Sequence, residues 1–338
     1  MYKIALITGD GIGPELSESV IDVLDMVNDN LGVKVEVTKL QAGDAALKKT
    51  GKALPDETVE QIKKSDVCLK APVGESAADV IVVLRRLLDL YANIRPAKSY
   101  PNMPALKENI DMVIVRENTE DLYTGMEFEV GETIIALRSI SKRASERIAR
   151  YAFATAEQRN GKRKVTCVHK SNVMRKTDGL FANTCEQVAK SHPKITFEHM
   201  YVDACAMNLI RQPESFDVIV TTNLFGDILS DEASQVVGGL GMAPAANIGD
   251  RFALFEPVHG AAFDIAGKQI ANPSSFILSA KMMFEWLGIK NNDKSCQDVA
   301  KKIEDAVYGI VKDGIKTRDI GGNKSTKEFT QNVIARII

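Results

Sequence analysis

Asp227 and Asp231, four residues apart in TTNLFGDILSDEAS, are the side chains of this 338-residue chain whose spacing most directly suggests chemistry. They follow an apolar stretch, Phe216–Val220, that reads as a strand, and they sit in a segment with helical patterning. At about 3.6 residues per turn an i, i+4 pair projects from one helix face. Two carboxylates held that close repel each other unless a cation lies between them. With no His or Cys nearby, the fitting cation is hard, oxygen-seeking Mg²⁺ or Mn²⁺. The same spacing also suits Asp227 as an N-cap and Asp231 as a solvated acid.

Arginines gather in two further segments. LRRLLDLYANIRP carries Arg85 and Arg95, and VRENTEDLY carries Arg116 directly after the apolar run Asp111–Val115. Guanidinium forks bind carboxylates in bidentate fashion, so three in one cleft would suit a di- or tricarboxylic acid. The alternative is surface ion pairing with acids such as Asp89 and Glu117. Tyr123 and Lys170 follow strand-like runs and have the chemistry of an acid and a base, although a packed Tyr and a solvated Lys fit equally well. Asp203, in YVDACAMN, closes another strand and reads either as a ligand or as a helix cap. In EPVHGAAFDIAGK, His259, Gly260 and Asp264 form a loop where backbone can approach a ligand and an acid can take ribose hydroxyls.

The elements that must position these residues alternate along the chain. Tyr2–Thr8, Val33–Leu40, Val67–Leu69, Lys164–His169 and Thr196–Tyr201 read as strands. Pro14–Asp29, Pro55–Lys64, Ser141–Arg159 and Gly179–Lys190 read as helices. This is the α/β pattern, with mostly parallel sheet and helices on both faces. Glu127–Arg138 alternates without a helix and is expected as an antiparallel arm, while Gly-, Ala- and Pro-rich Val237–Asp250 is expected as a loop or crossover. GDGIGP follows the first strand but has Pro14 where a dinucleotide fingerprint needs its third glycine, so it reads as a tight turn with a proline opening the helix.

A net charge of −2 provides no electrostatic footprint for nucleic acid. Five scattered cysteines without a CxxC suit a reducing compartment, and no apolar run approaches membrane-spanning length. A cytoplasmic protein without membrane or nucleic-acid partners is expected.

Taken in order, LDLYANIRPAKS, VRENTEDLY, VHKSNVMR, NLFGDILSDEAS and EPVHGAAFDIAGK resemble the signatures of the β-decarboxylating dehydrogenases, which act on isopropylmalate, isocitrate, homoisocitrate and tartrate. The resemblance runs from GDGIGPE to GGNKST. It implies a non-Rossmann fold with a large domain of residues 1–90 and 239–338 and a small one of residues 91–238. It also implies a homodimer, alone or within a larger oligomer, clasped by the 127–138 arm and sharing its active sites. On the matching positions, Arg85, Arg95 and Arg116 bind substrate carboxylates, Tyr123 protonates the enol, and Lys170 from the other subunit serves the hydroxyl proton. Asp227 and Asp231, with Asp203 of the second copy, would hold Mg²⁺ or Mn²⁺. His259, Gly260, Asp264, Ile265 and Asn272 match the adenosine side of the cofactor site and Asn172 the nicotinamide side. NADP-dependent members carry Lys-Tyr where this chain has Asp264-Ile265, so the resemblance implies NAD.

Family members differ in how they read the substituent on C3 of a malate core, through the segment before Arg85. Isocitrate members carry Ser and Asn where this chain has Asp79 and Ile81, and many homoisocitrate members carry Arg where it has Val82. Ile81 and Val82 therefore suit an apolar group, as on 3-isopropylmalate, and provide no partner for a third carboxylate. GESAADVIV resembles archaeal isopropylmalate members, whereas Ala78 stands where bacterial ones have Glu. The NTEDLYTGME and HKSNVMRKTDGLF stretches resemble isocitrate enzymes, the alternative within the family. A regulatory subunit without activity would be expected to lack part of the set that Tyr123, Lys170, Asp203, Asp227 and Asp231 complete here.

Overall fold

The computed structural model describes residues 1–338. In chain order the first elements are β1 (Tyr2–Ile7), α1 (Gly13–Asn30), β2 (Val35–Leu40), α2 (Asp44–Thr50), α3 (Asp56–Lys63), β3 (Val67–Lys70) and α4 (Ala77–Leu87). There follow β4 (Ala92–Lys98), β5 (Asp111–Glu117), β6 (Glu127–Val130), β7 (Thr133–Ala136), α5 (Lys142–Arg159), β8 (Lys164–His169) and α6 (Thr177–Ala189). Then come β9 (Thr196–Tyr201), α7 (Val202–Arg211), β10 (Val218–Thr221) and α8 (Asn223–Val236). The chain ends with β11 (Pro244–Ile248), β12 (Ala253–Pro257), α9 (Ser274–Lys290), α10 (Lys294–Lys312) and α11 (Thr326–Ile337).

Ten strands form one sheet in the order β2-β1-β3-β12-β11-β4-β5-β10-β8-β9. Both ends are parallel, as buried Val- and Ile-rich runs favour. The middle is not: β11 runs antiparallel to β12 and to β4, and β4 antiparallel to β5. Pro96, on β4, has no N–H to donate. It lies beyond the three residues that pair with β11, which is why a proline is tolerated inside this sheet. The register places Asn93 opposite both Asn247 and Arg116, and Ala245 opposite Glu256. Alternate residues share a face, so Asn93, Arg95, Arg116, Asn247 and Glu256 all project to one side of the central strands. The other side carries Ile94, Ala246 and Phe255 into the main apolar core.

One expectation fails clearly. Val237–Asp250 is not a loop throughout: Pro244–Ile248 is the fully buried strand β11. Its Ala-rich sequence lacks β-branched weight, and flanking strands override its weak local preference. The GDGIG turn is structural, as its proline suggests. Gly9 and Gly11 have φ of 66° and 58°, and a Cβ on either would stand 1.9 Å from the Pro72 carbonyl oxygen or 2.0 Å from that of Ala261. Those carbonyls accept from Asp10 N and Ile12 N at 2.8 Å each, so the turn is packed by the protein's own backbone. The Asp10 carboxylate in turn accepts from Asp44 N, Ala45 N and Gly74 N. Asp44 accepts from Glu75 N, Ser76 N and Ser76 Oγ, which fixes the start of α4.

The hairpin β6–β7 forms where alternation predicts it. In the single chain Phe128, Val130 and Ile134 on it are exposed by 46%, 55% and 62%. No helix is long and apolar enough to cross a membrane.

Candidate active site

Helix α4, strands β4 and β5, and helix α8 bring the three arginines together. Arg85, Arg95 and Arg116 keep only 5%, 8% and 1% of their surface, so the surface ion-pair alternative fails. Asp89 pairs instead with Arg147, and the Glu117 carboxylate accepts from Thr119 and Glu120. The arginines line a cavity of about 300 Å³ with Tyr123, Asp227, His259 and Gly260, walled on the α4 side by Ala77, Ala78, Ile81 and Val82.

Asp227 is the anionic hub. Its carboxylate accepts from Arg116 Nη1 and from the Tyr123 hydroxyl, and lies 3.2 Å from Arg95 Nη2. Arg95 Nη1 also reaches Asp231 at 3.3 Å, so a guanidinium stands between the two aspartates. Asp227 is five residues into α8, whose N-cap is Thr222, and is not itself a cap. Burial alone would raise its pKa, but Arg116 and Arg95 outweigh burial and hold it below the usual range. Asp231, further from that charge, is raised by burial. Burial also raises the Tyr123 hydroxyl, with the Arg116 guanidinium 4.9 Å over its ring.

Burial, then Arg95 and Arg85, lower the Arg116 pKa to about 9, a measure of how strongly this cation wants a further anion. Its Nη2 group is buried without a partner. Gly226 allows the approach: a Cβ there would stand 2.5 Å from Arg116 Cγ.

Arg85 is held from below. Its Nε donates to Asn247 Oδ1 at 2.9 Å, and its Nη2 lies 3.4 Å from Glu256. Glu256 also pairs with Lys70 at 2.8 Å and accepts from Asn247 Nδ2 at 2.8 Å. Burial would raise this carboxyl, but Lys70 and Arg85 bring it down to about 2.

Lys170 and Asp203 do not line the cavity. They bond to each other at 2.5 Å, with side chains 25% and 62% exposed, and Asp203 sits in the first turn of α7. No three carboxylate, His or Cys side chains of the single chain come together as a metal-ligand group. Asn172 is exposed beyond β8, and Asp264 is exposed on the loop after Gly260. His259 Nε2 lies 2.8 Å from Ser275 Oγ, burial lowers its pKa, and Asn272 donates to Asp319 at 3.0 Å. Ile265 packs against the core beside them.

Sequence reasoning misses Lys70, Glu256, Asn247 and Asp319. For Lys70, Glu256 and Asn247 the available signal is a charged or amide residue inside an otherwise apolar strand, VCLK, ALFEP and PAANI; Asp319, on the short turn Arg318–Ile320, carries no such signal. Such a group must have a buried partner, but the pattern does not say which.

Three buried cations around one small cavity define a binding site for a small polycarboxylic acid. A model of the isocitrate/isopropylmalate dehydrogenase family matches residues 3–333, and the chain belongs to that family. It is 53% identical to a 3-isopropylmalate dehydrogenase of Archaeoglobus fulgidus, with 98% of each chain covered. It is 47% identical to an isocitrate/homoisocitrate dehydrogenase of Thermus thermophilus, again over 98% of each. Among solved structures, isocitrate dehydrogenase from Methylococcus capsulatus superposes with a TM-score of 0.92 at 42% identity, covering 100% of this chain and 99% of that one. Members are dehydrogenases that generally require a divalent metal and a nicotinamide cofactor.

Glu256 generates a stability prediction. Its folded pKa lies below the ordinary 4.5, so its contribution is full above that value and lost as pH falls toward about 2. Glu256→Gln leaves Lys70 and Arg85 without their anion and should cost about 3–5 kcal/mol at neutral pH. Urea melts from neutral to acid pH should show the gap between the two proteins narrowing once pH drops below about 4.5. A gap that stays constant would contradict the assignment.

Proposed function

We propose that this chain catalyses the NAD-dependent oxidative decarboxylation of 3-isopropylmalate to 4-methyl-2-oxopentanoate and CO₂, a step of leucine biosynthesis. The carrying observation is the cavity itself: three buried guanidiniums face an apolar wall of Ala77, Ala78, Ile81 and Val82. Two carboxylates and one branched alkyl group match it, whereas a third carboxylate would meet that wall without a cation. A cleft between residues 1–90 plus 239–338 and residues 91–238 forms the site. The cytoplasmic enzyme works as a homodimer, and the exposed apolar arm supplies part of the contact.

The residues present fit both a divalent metal and a nicotinamide cofactor. Asp227 and Asp231 offer only carboxylate oxygens from one helix face, as Mg²⁺ or Mn²⁺ prefers, with Asp203 of the second copy completing the set. Asp264 on its exposed loop suits the ribose hydroxyls of NAD, beside His259, Gly260, Ile265 and Asn272, with Asn172 toward the nicotinamide. When bound, the metal supplies Lewis acidity at the C2 oxygen and the cofactor the hydride acceptor.

The chain's own side chains do the rest. Arg85, Arg95 and Arg116 grip and orient the two carboxylates, satisfying the unpartnered Arg116 Nη2. Lys170 from the second copy takes the C2 hydroxyl proton. Tyr123, kept protonated by burial, delivers its proton to C3 once CO₂ has left.

Measured side by side, kcat/KM should favour 3-isopropylmalate over isocitrate and homoisocitrate by at least about tenfold, the discrimination expected of an apolar pocket against an unpaired carboxylate. A preference for isocitrate would overturn the reading of Ile81 and Val82. Asp264→Lys combined with Ile265→Tyr should raise KM for NAD⁺ and improve use of NADP⁺. Unchanged NAD⁺ kinetics would remove Asp264 from the ribose site.

A further inference from the structure

The residues proposed above for proton transfer lie on separate elements: Tyr123 on the turn Asp121–Thr124, Lys170 after β8, and Asp227 on α8. A second buried cluster, outside the cavity, connects all three. Its centre is Arg138, on the strand-like exit from the β6–β7 arm, with 12% of its side chain exposed. The guanidinium is shared by Asp121 and Asp178, two carboxylates with no exposed surface at all.

Each bond reaches a different part of the site. Arg138 Nε and Nη2 grip both oxygens of Asp121, at 2.6 and 3.3 Å. Asp121 stands two residues before Tyr123, and its backbone holds a positive φ of 72° that a non-glycine residue keeps only when its surroundings enforce it. The same carboxylate accepts from Leu224 N at 3.2 Å, in the first turn of α8 ahead of Asp227. Arg138 Nη2 also donates to the Thr222 hydroxyl at 3.0 Å, at the N-cap of that helix. On its other edge Arg138 Nη1 donates to Asp178, whose second oxygen accepts from Lys170 N at 2.6 Å. Burial alone would lower the Arg138 pKa, but its bonds to Asp178 and Asp121 raise it, so the cluster is a tightly held ionic unit.

We propose that Arg138 is a positioning residue: by bridging Asp121 and Asp178 it sets the Tyr123 turn, the start of helix α8 and the Lys170 backbone in one register. The inference rests on Tyr123 and Lys170 being the proton carriers. It also has a consequence in the dimer. There Tyr123 serves its own chain's site and Lys170 the other, so each Arg138 ties one active site to its neighbour. Displacement of either carrier by an ångström would slow proton transfer, while Arg85 keeps its own anchors on Asn247 and Glu256.

Arg138→Lys keeps a buried cation but cannot fork across both carboxylates. In the metal- and NAD⁺-supplied dimer it should lower kcat by about 100-fold while the substrate KM stays within about threefold. The limbs of the kcat–pH profile should move as well, which a loss of stability alone would not produce. Millimolar guanidinium should restore part of kcat in Arg138→Ala. A folded Arg138→Lys enzyme with kcat within about threefold of wild type and an unmoved pH profile would overturn the proposal. Should Arg138→Lys not fold, Asp178→Asn carries the test, since it keeps an acceptor for Lys170 N at nearly unchanged volume. It should lose about tenfold in kcat, and an unchanged kcat would overturn the proposal equally. Wild-type enzyme that turns over no 3-substituted malate would instead sink the functional reading beneath it.

Discussion

Buried positive charge at the centre of the sheet dictates how the surrounding elements are arranged. Lys70, Arg85, Arg95 and Arg116 are all withdrawn from water, and only Glu256 is equally buried among their anionic partners. Removing such ions from water costs several kcal/mol each unless each finds a partner in good geometry. The antiparallel centre supplies that geometry. Its register sets Asn247 between Arg85 and Glu256 and places Asn93 beside it, so that amides complete the bonding the carboxylates cannot. Even so, Arg116 retains a buried N–H group without a partner. A core built only for stability would not keep it; a site waiting for an anion would.

The same constraint accounts for how the site works. Arg95 and Arg116 both bond Asp227, and Arg95 also reaches Asp231. On the proposed function, substrate carboxylates would offer the guanidiniums better bidentate partners and would release the aspartates for a divalent cation. Substrate and metal would then be coupled through the arginine–aspartate pairs, and the coupling would be reciprocal. Tyr123, bonded to Asp227, sits at the same junction.

Much of this is legible in the residues because chemistry and element boundaries coincide. Asp227 and Asp231 fall on one helix face, Arg116 follows an apolar strand, and Lys164–His169 and Thr196–Tyr201 form over the residues their patterning predicts. The arm is legible too, because nothing but a hairpin satisfies its alternation. The partners below the arginines are not. Glu256 and Lys70 are 186 residues apart, and only the strand order β3-β12-β11-β4 brings them together. Strand β11 is hidden for a related reason: its burial between two neighbours, not its own propensity, makes it a strand. Arg138 is visible only as the end of the arm, since its role lies in two aspartates from different elements.

The most direct test of this charge sharing is calorimetric titration of Mn²⁺ into the metal-free protein without NAD⁺, with and without saturating 3-isopropylmalate. Mn²⁺ should bind at least about tenfold tighter when the dianion occupies Arg85, Arg95 and Arg116, a coupling of roughly 1.4 kcal/mol. Equal Mn²⁺ affinity in the two titrations would contradict it, because the aspartates would then owe nothing to the arginines.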